Sequence, residues 1–339
     1  MASSFLIDEL IKRQIYLQRF AAGEAKTLQP FLEDTLTQVI RMVERGELQH
    51  FSEQKIKELL GRLFTLIDTG MDAYTAQFMS DAELLASMER NFNVSILQAG
   101  AIPVVQAPTV SLVRAAYTKR QMELIAGDKI KKLTLEQAFE QFGKRQKKEV
   151  AKAIRQGITM GETSTEIANR IRAQVPTRTA QQSQALVRTS VNHITATARA
   201  EVNRVNSDIL DGERFLATLD SITSITCASK DGLVFPIDEG PMPPLHFSCR
   251  SQRIGNIKPE LRMPGFKRER ASIDGPVDAQ TTYGGWLKRQ TPEVQDEVLG
   301  MERAKLFRSG KLSVGKFTDN TGKVYSLEKL EELHPQAFE

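Results

Sequence analysis

Hydrophobic residues along the first quarter of the chain recur at the three- and four-residue steps of amphipathic helices. The spacing predicts four helices, at 4–22, from about Pro30 to Gly46, from Ser52 to Gly70, and at about 72–98. Residues 99–110 break the pattern, because two prolines, a glycine and a β-branched run favour an extended connector. We therefore expect an N-terminal helical bundle that ends at a linker.

The helical spacing resumes beyond this connector. It predicts helices at 111–126, 134–156 and 163–172. Thr134 and Gln137 fit a capping box at the start of the second helix, which Gly157 and Gly161 are expected to end. Thr163 with Glu166 is expected to cap the third, and Pro176 to close it.

The most regular helical pattern runs from 178 to about 209. Its apolar line steps by three and four through Val187, Val191, Ile194, Ala198, Val202, Val205 and Ile209. Beside it runs a polar line of Arg188, Asn192, Thr195, Arg199, Asn203 and Asn206. Such a row either binds an anion, a backbone or a partner helix, or is simply solvated. Arg188, Asn192 and Arg199 are the candidate partner-binding residues.

After residue 212 the apolar period changes from helical to alternating. RFLATLD, SITSITCA and GLVFPI predict short strands, and residues 258–280 predict a turn-rich surface loop. Thr291 and Pro292 predict the start of a helix that ends at Gly300, and ERAKLFRSG predicts another. The segment from Phe317 to Val324 is hairpin-like.

Together these elements predict a mainly α protein with a small α+β C-terminal domain. The expected architecture is a helical N-terminal bundle, a long central helix and a short β-hairpin unit. A chain of 339 residues is too long for one ordinary core. The expected divisions are an N-terminal domain at 1–98, a linker at 99–110, a central helical domain at 111–212 and a C-terminal domain at 213–339.

The net charge of +4 is unevenly spread. Residues 1–100 carry −4, residues 101–200 carry +10, and the rest carry −2. The basic cluster of the predicted helix at 134–156 consists of Lys144, Arg145, Lys147, Lys148, Lys152 and Arg155. It is either suited to nucleic acid or an acidic protein surface, or is a solvated helix face. Lys144, Arg145, Lys147 and Lys148 are the candidate contact residues.

Composition also excludes several classes of protein. No run of 18 uncharged apolar residues occurs, so no transmembrane helix and no membrane partner are expected. Asp8 and Glu9 stand where a signal peptide would continue its apolar core. Two cysteines do not make a disulfide scaffold, which favours a reducing cytoplasm or an assembly derived from one.

The chemistry of the chain is concentrated in residues 220–253. This stretch contains both cysteines, Cys227 and Cys249, and one of the four histidines, His246. His246 and Cys249 stand three residues apart, a spacing at which two side chains can converge on one ion. The alternative is a small hairpin whose cysteines are buried as small apolar residues.

Several motifs, in this order, resemble the head morphogenesis or minor head protein family of tailed bacteriophages, the Mu F-like minor capsid proteins. The first three are the helix LVRTSVNHITATARAEVNR, the stretch from Asp220 through Cys227 to Asp231-Gly232, and PPLHFSCR. The fourth is the closing TYGGWLKRQTPEVQDEVLGMERAKLFRSGKL. The resemblance covers roughly residues 130–330, and the first hundred residues carry no matching signature.

The resemblance implies a structural virion protein that acts in head morphogenesis and carries no catalytic residue. It implies association with the portal or the capsid interior, and help in head assembly or in DNA packaging or ejection. The implied partners are the portal protein, the major capsid or scaffold protein, and packaged DNA, with no small-molecule substrate. The implied location is the host cytoplasm during assembly and the virion afterwards.

The family pattern looks like a zinc site, with Cys-x-x-Cys before the Asp-Gly turn and His-x-x-Cys-x-Cys after the prolines. Ser224 and Ser251 fill the first and last cysteine positions here. Cys227, His246 and Cys249 remain as candidate zinc ligands, with water or Asp231 as the fourth. Two alternatives stay open, a unit held by packing alone and a Cys227–Cys249 disulfide.

An enzyme is the rival class. A metal-dependent nuclease or hydrolase would use the same cluster of Cys227, His246 and Cys249. The sequence has no HExxH, P-loop, GxSxG or paired-histidine motif. A DNA-binding virion protein is a further alternative, although aromatic residues are only 6% and no DNA-reading motif occurs.

Overall fold

The computed structural model describes residues 2–46, 52–127, 129–264, 269–278 and 280–339. Five helices fill most of the N-terminal part: α1 (Ala2–Arg45), α2 (Glu53–Gly100), α3 (Val110–Lys119), α4 (Leu135–Thr159) and α5 (Ser164–Val205). The predicted fold class is confirmed, since the protein is mainly α with small antiparallel sheets. None of its described helices combines the length and apolar character needed to span a bilayer.

α1 is one helix where the sequence predicted two, because Pro30 lies inside it. The apolar stripe continues through the proline, with Leu28 buried before it and Val39 and Val43 buried after it. A proline inside a helix costs about 3 kcal/mol. Burial of this stripe offsets that cost, which a purely local pattern does not reveal.

α2 also replaces two predicted helices, since it passes through Gly70 without a break. A Cβ atom at Gly70 would clash with the Oγ1 atom of Thr35 on α1. The glycine therefore allows two helices to approach each other closely, and it does not end a helix.

The two predicted capping boxes are confirmed. Thr134 Oγ1 accepts a hydrogen bond from the Gln137 amide at 3.2 Å, and the Gln137 side chain accepts one from the Thr134 amide at 2.9 Å. Thr163 and Glu166 make the same reciprocal contacts at the start of α5. The predicted stop at Pro176 is wrong, because α5 continues through it to Val205.

The helix predicted at 111–126 is wrong in its second half. α3 ends at Lys119, and the chain then forms an antiparallel hairpin of β1 (Met122–Ala126) and β2 (Lys129–Leu133). In β1 the buried Met122 and Leu124 alternate with the exposed Glu123. That two-residue period is too short in sequence to stand out from the helical spacing before it.

The C-terminal region begins with a three-stranded antiparallel sheet. The sheet consists of β3 (Leu210–Leu216), β4 (Val234–Phe235) and β5 (Gln252–Ile257), in the strand order β4-β3-β5. The short helix α6 (Ile225–Ala228) lies between β3 and β4 in the chain. SITSITCA was predicted as a strand and instead contains α6. Ser224 begins that helix, since its Oγ atom accepts a hydrogen bond from the Cys227 amide at 3.3 Å.

The remaining elements follow β5 in the chain. They are the hairpin β6 (Glu269–Ser272) and β7 (Gly275–Asp278), and the helices α7 (Tyr283–Leu287), α8 (Pro292–Leu299), α9 (Met301–Arg308) and α10 (Leu327–Leu333). β6 and β7 lie in the predicted loop at 258–280, of which residues 265–268 and 279 are outside the described chain. The helix starting after Thr291 is confirmed, and so is the hairpin-like pairing of Thr318 with Val324.

The chain forms two compact units. One consists of Met1–Leu17, Leu85–Leu133 and Asn192–Glu339, and the other of Gln18–Leu84 and Thr134–Val191. The larger core cluster of the first unit is built on Phe215, Tyr283, Trp286, Phe307 and Phe317, and it includes both cysteines. The domain boundaries expected from the sequence stay predictions.

Candidate metal centre

Two chain segments bring Cys227, His246 and Cys249 together. Cys227 lies in α6, whereas His246 and Cys249 lie in the loop between β4 and β5. The Cys227 Sγ atom lies 3.2 Å from His246 Nε2 and 3.6 Å from Cys249 Sγ. The ligand atoms of all three residues lie within 4.8 Å of one another. The sequence-predicted candidates thus form one cluster.

The backbone around Cys249 is fixed from two directions. The Cys249 amide donates to the His246 carbonyl at 3.2 Å, and Ser248 between them takes a left-handed φ of 59°. From α5, the Asn192 side-chain amide donates to the carbonyls of Cys249 at 2.6 Å and Ser251 at 3.2 Å. The tight turn aims His246 and Cys249 at the same point.

His246 presents an unprotonated nitrogen to the cluster. Its Nδ1 atom lies 2.9 Å from the Phe247 carbonyl oxygen, which can only accept, so Nδ1 carries the proton. In the neutral ring Nε2 is then an acceptor, and it faces Ser224 Oγ at 2.8 Å and Cys227 Sγ. This is the tautomer in which a histidine binds a metal through Nε2.

The three groups shift each other's protonation. The hydrogen bond with Cys249, together with burial, raises the pKa of the Cys227 thiol well above its ordinary value. Burial opposes ionisation of Cys249, but hydrogen bonds with Cys227 and His246 lower the pKa of this thiol well below its ordinary value. Burial lowers the pKa of His246, while its contact with Cys249 raises it, and the net direction is upward. The cluster therefore favours one buried thiolate.

These donors fit zinc. Zinc binds thiolate sulfur at about 2.3 Å in a tetrahedron, so two thiolates on one ion stand roughly 3.8 Å apart. The separation of the two Sγ atoms here is 3.6 Å. Two sulfurs and one imidazole nitrogen are the ligand types that zinc prefers. When bound, such an ion would supply a cross-link between α6 and the loop that precedes β5.

Asp231 is used elsewhere in the fold. Its carboxylate oxygens accept hydrogen bonds from the backbone amides of Ala217 at 2.7 Å and Tyr283 at 2.6 Å. The Arg270 guanidinium also pairs with both oxygens, at 2.8 and 2.9 Å. The structure therefore does not bring Asp231 to the cluster. The polar neighbours there are Ser224 and Ser251, both of which hydrogen-bond with Cys227.

Most of the polar row of α5 is bound inside the protein. Arg199, which is 4% exposed, donates to Glu89 at 2.6 Å, to Asn93 at 2.8 Å and to Gln252 at 2.7 Å. With Asn192 engaged at Cys249, these two candidate partner-binding residues have structural contacts. Arg188 alone of the three is exposed. The sequence shows the row but not the distant groups that it binds.

The basic cluster of α4 contains both ion-paired and solvent-exposed cations. Lys144 pairs with Glu140 at 2.6 Å, and Lys147 pairs with Asp68 at 2.5 Å. Arg145 is half-buried, whereas Lys148 is exposed. Lys152 and Arg155, which were not among the candidate contact residues, are exposed as well. Their spacing of four and seven residues from Lys148 is the signal that places them on its face.

Comparison with known protein families gives one match. Residues 148–254 match the family described as Phage Mu protein F like protein, and this range includes Cys227, His246 and Cys249. No curated protein and no solved structure matched the chain.

Proposed function

We propose that this chain, a phage Mu F-like head-related protein through its residues 148–254, is a minor capsid protein that acts in head morphogenesis. Its place is at the portal vertex or in the capsid interior, where it assists head assembly or DNA packaging or ejection. The observation that carries the proposal is the family match, which spans the whole of α5 and the whole Cys/His cluster.

We also propose that the role is structural rather than catalytic. Cys227 and Cys249 are 1% and 2% exposed, whereas catalytic cysteines occupy partly exposed sites that a substrate can reach. The buried cluster is surrounded by core residues, including Leu245 and Trp286. These surroundings support a role in holding the fold.

Zinc held by Cys227, His246 and Cys249 is part of this proposal. The ligands come from α6 and from the loop that precedes β5, so a bound ion would tie together two segments that share little regular structure. Structural zinc contributes its binding free energy to folding. Such a cross-link would stabilise a small sheet whose strand β4 is only two residues long.

The proposed partners are the portal protein and the major capsid or scaffold protein. The test is to express the tagged chain together with the other head proteins of its phage and to isolate procapsids. The chain should sediment with procapsids or with portal, and a phage lacking its gene should yield misassembled or non-infectious heads. A phage that forms normal infectious particles without the chain would contradict the proposal.

Complementation of the phage that lacks the gene tests whether the Cys/His cluster is needed for the head function. Supplying the wild-type chain from a plasmid should restore infectious heads, and so should the surface variant Lys329→Gln. Cys249→Ser should restore them poorly if the cluster supports the fold that the head recognises. Full complementation by Cys249→Ser would separate the head role from the cluster.

A further inference from the structure

Three exposed cations form a stripe along α4. Lys148, Lys152 and Arg155 lie four and seven residues apart, so their side chains share one face of the helix. At 1.5 Å per residue the stripe is about 10 Å long. Within the described chain no acidic group pairs with any of the three, whereas neighbouring lysines of α4 are paired.

Three acidic groups of α4 and α2 are already paired with other cations. Glu149, on the same helix, binds Arg178 at 3.1 Å, and Glu140 binds Lys144. Asp68 of α2 binds Lys147. These pairs leave the three cations of the stripe as uncompensated positive charge, which attracts a polyanion over a Debye length of about 10 Å.

The surface around the stripe has the composition of a nucleic-acid interface. Between Leu135 and Thr159 no large apolar side chain is exposed, and the exposed Met160 stands alone just past the helix end. Stable protein interfaces have an apolar core, whereas interfaces with DNA are polar and strongly positive. A single exposed methionine does not make an apolar patch.

We propose that Lys148, Lys152 and Arg155 bind the phosphate backbone of double-stranded DNA without reading its sequence. Flexible lysine and arginine side chains on one helix face match a row of phosphates, and the stripe includes no amide side chain to read base edges. The proposal deepens the proposed head function, since packaged DNA is the polyanion that a protein of the capsid interior meets. The binding itself is measurable on the purified chain.

The test measures binding of a 25-base-pair duplex by fluorescence anisotropy between 50 and 200 mM NaCl. The triple variant Lys148→Gln, Lys152→Gln, Arg155→Gln should bind weakly at every salt concentration. Its plot of log K against log salt should be flatter by about 2.7, since each lost phosphate contact removes about 0.9 from the slope. Two unrelated duplex sequences should give the same result.

A second triple variant provides the matched control. Lys132→Gln, Lys305→Gln, Lys329→Gln removes the same net charge from lysines outside α4 that each pair with a nearby carboxylate. Its salt slope should stay near that of the wild type. Circular dichroism melting of both variants establishes that they are folded, and exposed positions of this kind seldom change stability by more than about 0.5 kcal/mol.

Three outcomes would overturn the proposal. The first is that the wild type does not bind DNA. The second is that both variants flatten the salt slope equally. The third is that the stripe variant binds DNA normally but fails to capture an acidic head protein. The last outcome assigns the stripe to a protein partner. Sedimentation with procapsids is scored separately, so a failure of DNA binding is distinguishable from a failure of the head function.

Discussion

The side-chain amide of Asn192 donates a hydrogen bond to the backbone carbonyl of Cys249 over 2.6 Å. The two residues are 57 positions apart, and the contact ties α5 to the segment that enters the candidate metal centre. The same amide also reaches the Ser251 carbonyl. A polar position of a regular helix thus fixes the backbone of a candidate ligand.

Asn192→Ala should destabilise the protein by about 1–3 kcal/mol, because it leaves two backbone carbonyls without their donor. Urea unfolding followed by circular dichroism measures the change. Asn169→Ala, an exposed position of the same helix, should cost less than about 0.5 kcal/mol. Equal losses of unfolding free energy in Asn192→Ala and Asn169→Ala would contradict a special role for Asn192.

Arg199→Met should cost about 3 kcal/mol of unfolding free energy. The substitution removes a cationic side chain that is 5% exposed, and among the described residues it leaves the fully buried Glu89 with Arg13 alone as its ion-pair partner. The control is Arg172→Met, which breaks a surface pair with Glu44 and should cost under about 1 kcal/mol. A loss at Arg199 as small as at Arg172 would contradict the buried-pair argument.

Purified protein should contain one zinc ion per chain by elemental analysis, and a chelator should lower its melting temperature. His246→Gln should lose the ion, because it removes the Nε2 donor that faces both sulfurs. His334→Gln changes a histidine outside the cluster and should keep the full zinc content. Wild-type protein isolated without zinc would end the metal proposal.

Stability should fall between pH 4.5 and 7 because of Glu24. Burial is the larger cause and the charge of Asp81 the second, and together they raise the pKa of the Glu24 carboxyl from 4.5 to about 7. Within that window the folded state keeps a proton that the unfolded state releases, so rising pH favours unfolding. Above pH 7 the Glu24 carboxyl is ionised in both the folded and the unfolded state, so the loss of stability no longer changes with pH.

Glu24→Gln removes this titration. Its unfolding free energy should depend less on pH across the window and exceed that of the wild type at pH 8, by on the order of 1 kcal/mol after solvent screening is allowed for. Denaturant unfolding at several pH values measures both effects. Glu33→Gln, at an exposed position of the same helix, is the control and should follow the wild type.

Local signals in the sequence predicted local structure well. The capping boxes at Thr134 and Thr163 were predicted correctly because their hydrogen bonds span three residues. Pro30 was misread as the start of a helix and Pro176 as the end of one, since the local cost of a proline is visible in sequence and the burial that offsets it is not. The strand predicted for SITSITCA was wrong, because the helix cap supplied by Ser224 outweighs the β-branched composition that favours a strand.

The candidate site was predictable only in part. Spacing and family resemblance singled out Cys227, His246 and Cys249, and the structure brings them together. Asp231 was a candidate for the fourth ligand by sequence, but it lies with Arg270, a partner 39 residues away that no local pattern indicates. The structural contacts of Asn192 and Arg199 were missed for the same reason.

Ser224 uses one hydroxyl oxygen for two contacts, the amide that begins α6 and the imidazole of His246. Position 224 should therefore show an unusual substitution profile in a saturation mutagenesis screen. Alanine would lose both contacts, while aspartate and asparagine would keep the helix cap and change the group that meets His246. Few side chains satisfy both demands, so this partly exposed position should tolerate change as poorly as the buried cysteines beside it.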